Sequence, residues 1–319
     1  MTSAEIPVLV DRIETVAQDI KRLRFVSADG SRLPTYSAGS HTILTMRDGS
    51  KLYRNAYSLM GPLDSEAGYE ISVLKTPTSR GGSRFVHDYL HEGSAVTISS
   101  PVNLFELDLR ARKHLLIAGG IGITPIMSMA EQLEKLGRLF EIHYATRTSR
   151  SGAYVGELKR KFGARVRHYQ TDRSEFLDTD VVLCGQPLGT HLYVCGPAGM
   201  INDVLQRADH MGWPSQHLHA EHFTAPRSGA PFDVELAKTN RTIRVQADES
   251  ILQALEAAGV EAPCLCRGGA CGQCETPILS CNGSIQHEDH YLTDEEKKAG
   301  DKIMICVSRI QGSRLTLDL

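Results

Sequence analysis

Apolar and polar positions change rhythm three times along the chain. From Ile6 to about Glu106, short runs at 42–46, 53–60, 69–75 and 95–99 mix β-branched, aromatic and alternating residues. Asp48-Gly49, Gly61-Pro62 and Glu92-Gly93 punctuate them as turns. One helical stretch, 84–90, opens after Ser83, a residue suited to capping a helix. The pattern predicts a small antiparallel barrel over residues 1–110.

From about Lys113 the rhythm becomes strand–helix alternation. An apolar strand at 115–118 leads through a glycine turn into a helix over 125–136, with Thr124 as its cap and Pro125 at its first position. Further strands at 140–145, 166–169 and 192–195 and a helix at 198–208 predict a Rossmann-like parallel sheet covered by helices, spanning 111–225. The Pro-, Gly- and Ser-rich stretch that follows supplies a linker, 226–232. Residues 233–319 open with strands at 233–236 and 242–246 and a helix at 251–258, where Ser250 and Gln253 have capping-box spacing and Gly259 is the stop. The apolar run 302–307 reads as strand-like. The whole is a multidomain chain of α+β and α/β parts.

Composition narrows the function. In 319 residues, 35 Lys+Arg stand against 38 Asp+Glu, a net charge of -3, so no basic excess exists to neutralise a nucleic-acid backbone. The longest apolar stretch, 115–129, is broken by Gly119, Gly120, Gly122 and Pro125 and cannot span a bilayer. The N-terminus lacks a basic region followed by a long apolar one, so no signal peptide, no membrane and a cytoplasmic location are expected. Of eight cysteines, six lie after residue 260, a crowding that points to metal rather than disulfides.

Cys266, Cys271 and Cys274 give C-x4-C-x2-C, and Cys306 follows after 31 intervening residues, the plant-type ferredoxin spacing for a [2Fe–2S] cluster. Gly268, Gly269 and Gly272 let backbone N–H groups approach the sulfurs. A zinc site built on Cys271 and Cys274 is the competing reading, but the second Cys-x2-Cys knuckle that zinc sites usually carry is missing. Cys264 and Cys281 are expected to be packed or partly exposed thiols. Two other glycine clusters precede helix starts and suit phosphates: Arg80-Gly81-Gly82-Ser83, and the run Gly119-Gly120-Ile121-Gly122-Ile123-Thr124-Pro125.

These motifs, in this order, resemble the phthalate dioxygenase reductase family, the reductase components of Rieske-type oxygenases. The resemblance covers essentially the whole chain and implies a flavin-binding β-barrel, a NAD-binding domain and a C-terminal β-grasp plant-type ferredoxin domain. It implies that Arg54, Tyr57 and Ser58 bind the flavin ring or phosphate and that Arg80, Gly81, Gly82 and Ser83 hold the terminal phosphate of FMN, with FAD as the alternative. Arg54 lies one residue further from Tyr57 than the family pattern, so either a bulge restores its geometry or Asn55 takes its place. Gly120, Gly122 and Thr124 are expected to receive the pyrophosphate of NADH. Cys195, Gly196 and Pro197 would face the nicotinamide, Arg147 the adenosine ribose, and Phe223 the flavin. An arginine there also suits NADPH. His217, His219 and His222 cluster without a metal-binding motif.

The resemblance further implies hydride delivery by NADH and single-electron steps through flavin and cluster to a Rieske-type oxygenase component. No general acid or base is required, and no catalytic residue is assigned. A FAD-containing ferredoxin-type reductase with another acceptor, or an iron–sulfur carrier or sensor without hydride chemistry, are the alternatives.

Overall fold

The computed structural model describes residues 5–49, 51–61, 63, 68–77, 79–224 and 226–319. Pro62 of the Gly61-Pro62 turn, Ala225 beside the linker and the first four residues lie outside them. Two compact units result, one running through His222 and one spanning Phe223–Leu319. Among the described residues, no helix is long and apolar enough to cross a membrane.

The first sheet holds β1 (Glu5–Ala17), β2 (Ile20–Ser27), β3 (Ser40–Asp48), β4 (Lys51–Ser58), β5 (Tyr69–Leu74), then helix α1 (Gly82–Asp88), β6 (Ala95–Ser99) and β7 (Val102–Asn103). Its order is β4–β3–β6–β1–β2–β5, with β7 on β3 and every pair antiparallel. The two edges meet through one antiparallel bridge, Met60 to Glu70, which curls the sheet into a barrel. Alternate residues such as Val8, Val10, Leu23, Phe25, Ile71 and Val73 fill its interior.

The second sheet is parallel throughout. It contains β8 (Lys113–Gly119), α2 (Ile123–Lys135), β9 (Phe140–Thr146), α3 (Val155–Phe162), β10 (Val166–Gln170), α4 (Thr179–Leu183), β11 (Thr190–Cys195), α5 (Ala198–His210) and β12 (Leu218–Glu221), in the order β10–β9–β8–β11–β12. The central strands β8 and β11 are buried almost end to end, as strands covered on both faces must be.

The second unit contains β13 (Phe232–Leu236), β14 (Arg241–Val245), α6 (Ile251–Ala257), β15 (Glu275–Gln286), α7 (Asp294–Ala299), β16 (Lys302–Met304) and β17 (Arg309–Leu317). Their order is β14–β13–β17–β15–β16, with only β13 and β17 parallel. Ser250 caps α6 in a complete capping box with Gln253, as the spacing predicts.

Four local expectations need correction. Ser83 lies inside α1 rather than capping it; Gly81, at φ 119°, precedes the helix, and the Ser83 hydroxyl accepts the Thr76 N–H at 3.4 Å. Thr124 likewise lies inside α2, which follows a tight turn over Gly120–Gly122, and its hydroxyl donates to the Ile121 carbonyl at 3.0 Å. Cys306 sits in a turn after β16, closed by Ser308 N–H donating to Met304 O at 3.0 Å, rather than in a strand. Phe232 belongs to β13, fully buried and paired with Val245, rather than to the linker.

Candidate functional site

The loop from α6 to β15 and the turn after β16 bring four thiols to one place. The Cys266 thiol lies close enough to Cys271 and Cys306, and Cys306 to Cys274, for each to shift the other's ionisation. The Cys266 sulfur also accepts N–H groups from Gly268 at 3.4 Å and Ala270 at 3.5 Å. These donors, Cys271 foremost, hold Cys266 well below the usual thiol range. Glycine is required where the loop is wrapped: a Cβ on Gly269, at φ 72°, would strike Val307 and Asp289, and one on Gly272, at φ 74°, would strike the Tyr291 ring. Four thiols with backbone N–H groups aimed at sulfur fit a [2Fe–2S] cluster. Among the described residues, no three Cys, His, Asp or Glu side chains close around a point that one ion could fill. Cys264 and Cys281 stay outside: Cys264 lies 3.8 Å from the Arg267 guanidinium, which is paired with Glu256, and Cys281 points to the Gly283 carbonyl at 3.7 Å.

In the barrel, β4 pairs with β3 in continuous register from His41–Ser58 to Asp48–Lys51, without a bulge. Arg54 and Tyr57 therefore face opposite sides, and Arg54 lies 3.6 Å from the Glu5 carboxylate. Tyr53, Asn55 and Tyr57 share the other side. There, a Cβ on Gly81 would fall 2.4 Å from the Tyr53 ring and one on Gly82 2.3 Å from the Asn55 side-chain oxygen. The glycine cradle thus packs on Tyr53 and Asn55, and half-buried Arg80 precedes it. Burial pushes the Tyr57 phenol well above its ordinary range. Tyr53 is absent from the sequence-based assignment, although its two-residue spacing from Asn55 was the available signal.

In the parallel sheet, strand order reverses direction between β8 and β11, the point where α/β sheets open a crevice at their carboxyl ends. The loops after these strands abut. A Cβ on Gly122 would lie 2.3 Å from the Cys195 carbonyl oxygen, and one on Gly119 2.7 Å from Pro197. A Cβ on Gly196 would lie 3.0 Å from the Gly119 backbone, whereas Gly120, at φ 54°, faces open space. Burial raises the Cys195 thiol well above its usual range, and the nearby Glu221 carboxylate adds to it. Arg147 is exposed just past β9. Phe223 is exposed at the start of the second unit.

Glu221 is the other group that sequence reasoning passed over, although it stands two residues before Phe223. It pairs with Cys195 across β11 and β12, and its carboxylate accepts the Ser58 hydroxyl at 3.4 Å. Burial raises its pKa to about 8, against the opposing pull of Ser58. The folded chain therefore holds this proton between about 4.5 and about 8, where the unfolded chain has lost it. Stability from this group is complete below that window and is lost as the pH rises through it. Melting temperature should fall between about pH 4.5 and about 8, and Glu221→Gln should flatten that fall; equal slopes in the two proteins would contradict the assignment.

His217 and His219 belong to a packed stack. The His191 and His219 ring nitrogens are 3.0 Å apart, His217 stacks on His191 at 4.2 Å, and Tyr193 stacks on His219 at 4.4 Å. Burial, then the neighbouring imidazoles, lowers His191 to about 4, and burial also lowers His219, so both pack as neutral rings.

Residues 97–218 match the dimethylamine monooxygenase subunit DmmA-like N-terminal domain, and residues 234–311 match the 2Fe-2S iron-sulfur cluster binding domain. Over 317 residues the chain is 44% identical to the heme-dependent oxidative N-demethylase beta subunit of Ectopseudomonas mendocina, covering 99% of this chain and 100% of that one. It is 42% identical over 315 residues to the carnitine monooxygenase reductase subunit of Acinetobacter baumannii, covering 98% of each. A solved structure of phthalate dioxygenase reductase, described as modular for electron transfer from pyridine nucleotides to [2Fe-2S], matches with a TM-score of 0.89 at 34% identity, over 99% of this chain and 98% of that one.

Proposed function

The chain belongs to the phthalate dioxygenase reductase family, and from that premise we infer that it is the reductase component of an oxygenase system. It is an oxidoreductase that carries a flavin and a [2Fe–2S] cluster and takes electrons from a nicotinamide nucleotide. We assign FMN, NADH, a Rieske-type oxygenase partner and a cytoplasmic location as the specific reading. The observation that carries it is the gathering of Cys266, Cys271, Cys274 and Cys306 in a chain that also has a glycine-lined nucleotide crevice.

A flavin supplies the exchange between a two-electron donor and a one-electron acceptor. The chain's residues bind and orient. The N–H groups of Gly81–Ser83 receive the flavin phosphate against Asn55, while Tyr57 and Ser58 line the ring side; Asn55, rather than Arg54, is the polar partner on that face. Gly120, Gly122 and Thr124 receive the dinucleotide pyrophosphate, and Cys195, Gly196 and Pro197 border the nicotinamide. Glu221 holds its proton beside Ser58 near neutral pH. Arg147 faces the adenosine ribose. The same reading divides the chain into a flavin domain to residue 110, a nucleotide domain at 111–225 and a ferredoxin domain from 233.

Protein purified without oxygen should contain iron and acid-labile sulfide, release FMN on denaturation, and lose its visible colour on adding NADH far faster than on adding NADPH. Zinc in the thiol cage, or colour unmoved by either nucleotide, would overturn the reading. A second reading replaces the Rieske partner with a haem-dependent N-demethylase, favoured by the 44% identical relative of that description. Reduction of one purified oxygenase and not the other distinguishes them.

A further inference from the structure

The loop after β9, residues 147–153, ends the second strand of the β8–α2–β9 unit, where dinucleotide-binding sheets meet the adenosine ribose. Loops of this kind are the least stable parts of a fold unless something fastens them. This one is fastened to the flavin barrel at two points. The N–H of Gln18, in the β1–β2 turn, donates to the Arg150 carbonyl at 2.8 Å. The Tyr154 hydroxyl meets the Ser72 hydroxyl of β5 at 2.5 Å.

Tyr154 is an unusual residue for its place. It is 7% exposed and sits at φ 65°, a left-handed conformation that strains a bulky side chain, immediately before α3. Such strain persists only where surroundings over-determine it, and they do. Arg22, which faces Ser72 in the β2–β5 register, lies 5.7 Å from the Tyr154 ring centre. Its guanidinium is paired with Glu70 on β5 and reaches Glu157 on α3 at 3.5 Å. The Glu70 carbonyl accepts the Met60 N–H at 2.9 Å, and Ser72 touches the Met60 sulfur at 3.2 Å, so this network reaches back to the end of the flavin-facing strand.

We propose that Tyr154 is a positioning residue that latches the ribose-facing loop to the flavin barrel, so that dinucleotide affinity depends on a side-chain bond to Ser72. The proposal rests on the nucleotide site assigned above. A loop held in its binding-competent form for only part of the time weakens apparent affinity by that fraction, without altering the geometry once the ligand is bound. Loss of the latch therefore falls on binding and not on the rate at saturation.

The test uses the full holo-chain and NAD+ binding to its oxidised form, followed by equilibrium titration, together with steady-state NADH kinetics. Tyr154→Phe keeps the ring and removes only the hydroxyl; Ser72→Ala removes its partner. Each should raise the Kd for NAD+ and the KM for NADH about fivefold to tenfold, on the scale of one buried hydrogen bond, with kcat changing by less than about twofold and both chromophore spectra retained. The double variant should be no worse than either single one, and Ser72→Thr should restore affinity. Unchanged Kd in both single variants, or a fall in kcat with Kd intact, would overturn the latch while leaving the nucleotide site standing. Wild-type protein that binds neither NAD+ nor NADH would overturn the nucleotide site and the latch with it.

Discussion

Cys306→Ser is expected to lower NADH-dependent reduction of cytochrome c, or of the partner oxygenase, by more than about hundredfold, because electrons would have no bound cluster to leave through. Ferricyanide, a small acceptor that can take electrons from the flavin directly, should still be reduced within about twofold of the wild-type rate. Cys306 comes from the turn after β16, away from the loop that carries the other three thiols, and sits beside both Cys266 and Cys274. A serine hydroxyl is not ionised near neutral pH and offers a harder oxygen donor, so the cage loses one of its four ligands. The turn itself should survive. Its backbone bond from Ser308 to Met304 does not involve the Cys306 side chain, and Ile305 and Val307 on either side remain buried. Iron and sulfide content and the visible spectrum would report the loss of the cluster. Cytochrome reduction at the wild-type rate by protein lacking iron would remove the thiol cage from the electron path.

The cysteine spacing was legible because thiolate geometry leaves few alternatives, and the Ser250–Gln253 capping box because its bonds are local. Ser83 and Thr124 misled for a related reason. Each is a good capping residue within two positions of a glycine, but the turns formed by Gly81 and by Gly120–Gly122 start each helix earlier and draw both side chains inside it. Asn282-Gly283 has the form of a tight hairpin turn. In the fold it runs on as β15, with a register shift at that point and Gly283 and Gly312 letting β15 and β17 approach, since a Cβ on Gly312 would meet the Asn282 oxygen at 1.7 Å. Tyr53 and Glu221 were passed over for another reason. Their neighbours, Gly81 in one case and Ser58 in the other, come from distant sequence and are brought close only by tertiary packing. Arg54 shows the same limit from the other side: the period-two rule raised the doubt, and only the unbroken β3–β4 register resolved which face it takes.

Gly122→Ala should cost about a hundredfold in the rate of NADH oxidation while leaving both visible chromophores in place, because an ångström-scale misplacement in a positioned transfer is worth about that much. The new methyl would sit 2.3 Å from the Cys195 oxygen, 2.5 Å from its carbonyl carbon and 2.8 Å from the Gly196 nitrogen. All three are backbone atoms, so no side chain can swing away. Neither backbone can yield cheaply. β11 is hydrogen-bonded to β8 on one side and β12 on the other and is buried along its length, while α2 buries nearly its whole first half. The loop after β8 must therefore move into the crevice assigned to the dinucleotide. Overpacking of this kind also destabilises by about 1–3 kcal/mol, so a lower melting temperature should accompany the kinetic loss. Gly199→Ala controls for the substitution itself: it lies in α5 with nothing within 4 Å of the added carbon, and helix propensity makes it neutral or slightly stabilising. If Gly122→Ala oxidised NADH as fast as Gly199→Ala, the dinucleotide would not lie across the β8–β11 crevice, and the hydride would have to arrive by another face of the sheet.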